Sequence, residues 1–245
     1  MNWPKGTIAT YDWLEGQGVY RQLADTYVNS GWLERVGRGA FKRAGEEADW
    51  TGALYAMQTQ LKLSAHAAGK TALRMQGYAH YLALGSETAA VLFGKSGEKL
   101  PAWFEHYPWK TKVRFTASNL FDHKKVSGLT DFDAGNYSIK ISSAEKAMLE
   151  VCYDVPDKES FEEAGHFMEG LTTLRPNLVQ ELLEKCNSVK TKRLFMYFAE
   201  EYHHAWLKKL NLARVDFGKG NRSLCADGQY NKKYQLIVPK KVMAA

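Results

Sequence analysis

Between residues 20 and 44, two groups of side chains have types and spacing that suit contact with duplex DNA. Arg21, Gln22, Asp25 and Asn29 fall on one line if the stretch is helical, and Thr26 stands beside them. A guanidinium matches the acceptor pair of guanine, and a carboxamide matches adenine, so such a ridge can read base edges in a major groove. The second group, Arg35, Arg38, Lys42 and Arg43, surrounds the tripeptide Gly37-Arg38-Gly39. Cations there suit phosphates, and Arg38 at a turn tip suits insertion into a minor groove. The plainer alternative is a packing module with an ordinary solvated charged face.

Such groups need rigid elements to hold them. Thr7 to Gln17 reads as a first helix, with Ile8, Tyr11 and Leu14 at helical spacing. Gly18 ends it, because glycine enters the left-handed region without a Cβ penalty. Val19 to Asn29 reads as a second helix, with Val19, Leu23 and Tyr27 as its buried stripe. Its start carries Tyr20 where a Ser or Thr cap would serve better. Trp32 to Val36 and Ala40 to Arg43 then form two strands across a glycine turn. Two helices across a short turn, followed by a basic hairpin, describe a winged helix-turn-helix.

The remainder alternates less regularly. Trp50 to Leu63 and Gly69 to Tyr81 read as helices, and Thr88 to Phe93 as a strand. Residues 94 to 109 read as a loop, and 112 to 116 and 137 to 141 as half-buried strands. Capping boxes at Ser142-Ser143-Ala144-Glu145 and Ser160-Phe161-Glu162-Glu163 open helices that run to Cys152 and Leu171. Pro176 opens a third helix, ending near Cys186, and Ser188 to Trp206 forms a fourth. Ala213 to Phe217 and Tyr230 to Val238 return to strand. The expected class is α+β: an N-terminal winged helix-turn-helix followed by a mixed α/β C-terminal domain. The expected division is 1–85, a winged core (1–46) with a helical connector, and 86–245.

Composition narrows the function classes. At 245 residues, 45% apolar and 24% charged, the chain can bury a real core. A net charge of +6 favours anionic partners. No apolar run is long enough for a membrane span and no signal peptide is evident, so a cytoplasmic, non-membrane protein is expected. Cys152, Cys186 and Cys225 are too widely spaced for a metal pattern and read as buried free thiols.

Other candidate chemistry is weak. Gly69-Lys70-Thr71 and Gly94-Lys95-Ser96 resemble the end of a phosphate-binding loop, but Ser64 and Ala89 stand where its earlier glycine is required. Glu200, Glu201, His203 and His204 contain one helical pair, Glu200 and His204, without a third ligand. His66, His80 and His106 are isolated. Asp131, Asp133 and Lys140 suggest a carboxylate nuclease, yet Ser138 occupies the place of the second carboxylate. No cofactor, metal or catalytic residue is therefore expected. The alternative is a nuclease or nucleotide-processing enzyme with an appended DNA-binding head. Late basic residues, namely Lys185, Lys190, Lys192 and Arg193, then Lys208, Lys209, Arg214, Lys219 and Arg222, then Lys232, Lys233, Lys240 and Lys241, either coat a solvated face or form a second nucleic-acid surface.

Over nearly its whole length the sequence resembles the AbiE-type antitoxins of bacterial type IV toxin–antitoxin systems. The residues that carry the resemblance are 26–43 (TYVNSGWLERVGRGAFKR), 49–61, 69–82, 142–151, 167–195 (through GLTTLRPNLVQELLEKC), 216–222 and 234–239. The chain departs from the pattern in its short start before Thr7 and in Tyr20. The resemblance implies a bacterial repressor that binds inverted repeats in its own promoter through the winged helix. It also implies that the C-terminal domain counteracts a nucleotidyltransferase-like toxin without a stable complex.

Overall fold

A computed structural model describes residues 2–78, 89–122 and 127–240. In chain order the elements are β1 (Ala9–Thr10), α1 (Tyr11–Gly16), α2 (Arg21–Asn29), β2 (Leu33–Gly37), β3 (Ala40–Arg43), α3 (Trp50–Thr59), β4 (His66–Ala67), α4 (Gly69–Met75), β5 (Ala90–Lys95), α5 (Ala102–His106) and β6 (Val113–Ser118). They continue as β7 (Leu129–Asp133), β8 (Ser138–Ser142), α6 (Ala144–Asp154), α7 (Phe161–Gly170), α8 (Pro176–Lys185), α9 (Val189–Glu201), β9 (Arg222–Ser223), β10 (Gly228–Asn231) and β11 (Leu236–Pro239), with two 3-10 turns before β9. The class is α+β, with a winged helix at the N-terminal end. Two compact units interleave in sequence: 1–67, 86–118 and 130–141 form one, and 68–85, 119–129 and 142–245 form the other.

In the first unit, the expected helix from Thr7 starts four residues late. Ala9 and Thr10 instead pair antiparallel with Phe41 and Ala40, giving a three-stranded sheet in the order β1-β3-β2. The outer edge of β1 is satisfied by one side chain: the Gln60 amide accepts from Thr10 N at 2.8 Å and donates to Ile8 O at 2.9 Å. Those long-range bonds outweigh the helical spacing of Ile8 and Tyr11, because a strand's polar backbone must find partners somewhere. Tyr11 N donates to Gly39 O at 2.8 Å, so the start of α1 is anchored to the wing turn. Gly39 has φ +75°, as the turn requires.

Trp3, Ala9, Leu14, Val19, Ala24, Leu33 and Phe41 form the buried centre of the winged module. The inward residue of α2 is Ala24; Tyr27, expected inside, is exposed, and Leu23 is half-buried. The inward face is therefore rotated from the expected stripe, and a small residue lets α2 approach the sheet closely. The wing rests on α5, an element within the expected loop. An added Cβ at Gly37 would lie 2.7 Å from Trp103 Cβ, so glycine is what admits the tryptophan. A five-stranded sheet in the order β6-β5-β4-β8-β7 completes this unit, with β5 as a buried apolar strand.

The second unit is built around α6, which packs against α4, α7, α8 and α9 and is buried along almost its full length. Charges within it are paired. Burial alone would push the Glu145 carboxyl up, but hydrogen bonds from the Arg175 side chain and backbone outweigh it and hold the group below its ordinary range. Ser160 caps α7 by accepting from Glu163 N at 3.0 Å, as its sequence pattern suggests. Ser143 takes the cap position of α6 without a side-chain cap bond. The helix expected from Ser188 to Trp206 ends at Glu201, where His203 (φ +52°) turns the chain. The strand expected at Ala213 to Phe217 is absent: a 3-10 turn, Leu212–Arg214, takes its start and residues 215–217 are irregular. The helix expected over 69–81 ends at Met75, where Gly77 (φ +86°) turns the chain; residues 79–81 and Thr88 lie outside the described residues.

Candidate nucleic-acid interface

The ridge expected on α2 faces outward. Arg21, Gln22, Thr26 and Asn29 are exposed, and Asp25 is half-buried. Ala24 packs inward, which turns this line of polar side chains away from the core. Thr26 Oγ1 donates back to Gln22 O at 2.9 Å, leaving its lone pairs outward. The N-cap, Tyr20, makes no side-chain cap bond, and its ring is exposed beside the helix start.

The four basic wing residues are used differently. Arg38 is exposed at the turn and forms no ion pair among the described residues. Arg35 donates to Asp25 at 2.5 Å and lies over the Phe41 ring, 5.3 Å from its centroid. Lys42 is mostly covered: it pairs with Glu34 at 2.6 Å and donates to Glu46 O at 3.0 Å. That ammonium and the Gly45 N–H hold the Glu34 carboxyl below its ordinary range. Arg43 pairs with Glu46 at 3.2 Å, donates to Trp3 O and covers the Trp3 ring. Lys42 and Arg43 therefore tie the base of the wing to the N-terminal segment.

Arg21, Asp25, Arg35 and Arg38 line one open hollow of 660 Å³, whose floor and wall include Phe41 and Trp103. Arg21 also lies over the Tyr11 ring at 5.5 Å. Helix α2 and the wing thus present cations to the same opening, and aromatic rings fix the approach of two of them. Trp103 and Pro101 were not foreseeable members of this site. The aromatic run that contains them is visible in sequence, but no spacing connects it to residue 37.

The other candidate motifs have structural uses. Lys70 pairs with Glu159 at 2.8 Å and Glu163 at 3.5 Å, and Gly69 N donates to the Glu150 carboxylate at 2.9 Å. A carboxylate already occupies the place a phosphate would take. Lys95 lies 3.8 Å from Glu98, which also accepts from Ser64 N and Oγ. Glu200 accepts from Tyr234 and Lys233, both at 2.6 Å. His204 bonds Met168 O and stacks on Trp206. His66 Nδ1 meets Ser64 O, His106 is exposed at the end of α5, and His80 lies outside the described residues. Among the described residues no group of three or more His, Cys, Asp or Glu is placed to hold a metal. Asp131 pairs with Lys140 at 2.7 Å, and Asp133 accepts from Gly135 N. Burial pushes the thiol of Cys152 upward and that of Cys186 up to about 11, which makes poor nucleophiles of both. Cys225 is a free, half-buried thiol.

The late basic residues divide. Lys190 donates to Tyr153 O and Val155 O, and Arg193 donates to the carbonyls of Phe217, Gly218 and Gly220. Lys192 is buried, while Lys185, Arg214 and Lys233 pair with Glu181, Glu184 and Glu200. Lys208, Lys209, Lys219, Arg222, Lys232 and Lys240 are exposed. Lys241 lies outside the described residues. No helix among the described residues is long and apolar enough to cross a membrane.

Comparison with known proteins agrees with this architecture. Residues 1–84 match a family model described as "Transcriptional regulator, AbiEi antitoxin N-terminal domain". Residues 87–239 match one described as "Transcriptional regulator, AbiEi antitoxin, Type IV TA system". No curated protein matches. The crystal structure of the RV2827C protein from Mycobacterium tuberculosis superposes with a TM-score of 0.62 at 15% identity, over 94% of this chain and 86% of that one. At that identity the likeness concerns the fold.

Proposed function

We propose, from the premise that this chain belongs to the AbiEi antitoxin family of transcriptional regulators of type IV toxin–antitoxin systems, that it represses its own operon by gripping inverted repeats in the promoter with α2 and the wing. One observation carries the DNA-binding half of this reading. Arg21 and the half-buried Asp25 of the ridge line a single open hollow with Arg35 and Arg38 of the wing, and Gln22, Thr26 and Asn29 are exposed on the same helix. Arg21, Gln22, Thr26 and Asn29 meet base edges or phosphates in the major groove, and Arg38 meets the backbone or the adjacent minor groove. Lys42 and Arg43 act at the rim, held by Glu34 and Glu46.

The remaining chain counteracts a nucleotidyltransferase-like toxin in the cytoplasm of a bacterium, without a stable complex and without catalysis of its own. The family supports this half of the reading, and the pairing of Asp131 with Lys140 offers no argument for a nuclease.

The two activities should separate. With the neighbouring toxin gene co-expressed and a promoter reporter in the same cell, Arg21→Ala combined with Arg38→Ala is expected to abolish repression while growth rescue persists. Growth rescue abolished together with repression, at equal protein level, would count against separate surfaces. Repression retained would count against the DNA interface.

A further inference from the structure

Asp25 is the one carboxylate on a ridge that otherwise offers donors and amides, and it sits four residues after Arg21 and four before Asn29. A bare carboxylate there would oppose the phosphates. Its Oδ1 instead accepts from Arg35 Nη2, ten residues away on β2. The same guanidinium lies over Phe41, its register partner on β3, a ring that is 2% exposed and so fixed. Asp25 and Arg35 side chains are each 48% exposed. An ion pair so open to water and salt contributes little to folding, so stability does not account for the arrangement.

Geometry does. A guanidinium carries five N–H donors in a planar fork, and this carboxylate engages one edge. Phe41 supports the flat face, and Arg35 lines the opening that Arg21 and Arg38 also line, where donors not engaged by Asp25 can serve. We propose that Asp25 is a positioning residue: it orients Arg35 between recognition helix and wing so that Arg35, rather than Asp25, contacts the DNA. This rests on the DNA-binding reading above. The carboxylate is neutralised by the pair, and helix and wing are joined through it into one clamp.

The experiment uses the full-length protein, a duplex carrying the promoter repeats and a scrambled duplex of equal length. Asp25→Asn keeps the side chain's shape and removes its charge. Its unfolding midpoint should match the parent, its affinity for the promoter should fall about tenfold, and its affinity for scrambled DNA should hold or rise. Arg35→Lys, which keeps the charge and removes the fork, should show the same drop in discrimination. In an Arg35→Ala background, Asp25→Asn should weaken promoter binding no further, because nothing remains to be positioned, and loss of the bare carboxylate should hold or raise the affinity. Equal tightening on both duplexes would overturn the proposal and leave Asp25 as simple repulsion. A further weakening in the Arg35→Ala background would also overturn it, by showing that Asp25 reads a base itself. Arg21→Ala and Arg38→Ala serve as controls for the underlying reading: if neither weakens binding, that reading fails as well. If both weaken it and Asp25→Asn does not, only the positioning role fails.

Discussion

Replacing Arg21 and Arg38 together with alanine is expected to weaken promoter binding by roughly 10- to 100-fold, the range for removal of one good base interaction together with neighbouring phosphate interactions. Neither arginine has an ion pair among the described residues, so the substitution removes no internal salt bridge. The cation–π interaction of Arg21 with Tyr11 is on an exposed face, and its removal costs little. The plot of log affinity against log salt should become shallower by about 0.9 for each phosphate no longer neutralised. Gel-shift or anisotropy titrations from low to moderate salt measure both quantities. Lys42→Ala supplies the contrast. Lys42 is committed to Glu34 and Glu46, so its removal should change the salt slope less than removal of Arg38.

The largest effect on stability is expected from Gly52→Ala. An added Cβ at residue 52 would lie 1.9 Å from Gly6 O and 3.2 Å from Thr7 Cα. Both are backbone atoms, so no side chain can rotate away. Relief requires separating α3 from the segment that leads into β1, and that segment carries Trp3, the ring beneath Arg43. Overpacking of this kind costs about 3 kcal/mol, which lowers the unfolding midpoint by roughly 10 °C for a chain of this size. Thermal unfolding followed by circular dichroism checks it. A midpoint within about 2 °C of the parent would mean that α3 and Gly6 do not approach each other this closely.

How much was legible in the sequence depended on the range of the interaction. The wing could be read because Gly37, Arg38 and Gly39 fix their turn locally. The ridge on α2 could be read because helical spacing alone aligns Arg21, Asp25 and Asn29. Strand β1 could not, since its partners are Phe41 and the side chain of Gln60, fifty residues away. Tyr27 was misplaced because its type suggests burial, whereas Ala24, a weaker signal, packs against the sheet. Similarly, nothing in the order of cations along the chain distinguished Arg38, which is exposed, from Arg43, which is engaged by Trp3 and Glu46. The contribution of Trp103 is of the same kind, because it depends on Gly37 being opposite it in space. The family resemblance was legible because it draws on segments along the whole chain, and the family models match residues 1–84 and 87–239.

In the proposed complex the outward face of α2 and the wing lies against duplex DNA. Photocrosslinking tests it most directly. A photoreactive side chain is placed at Gln22, at Arg38 or, as an exposed control in the second unit, at Glu169, and each protein is irradiated with promoter duplex. Adducts are expected from positions 22 and 38, suppressed when unlabelled promoter competes, and none from position 169. Adducts absent at 22 and 38 while the protein is bound to the promoter would contradict that placement.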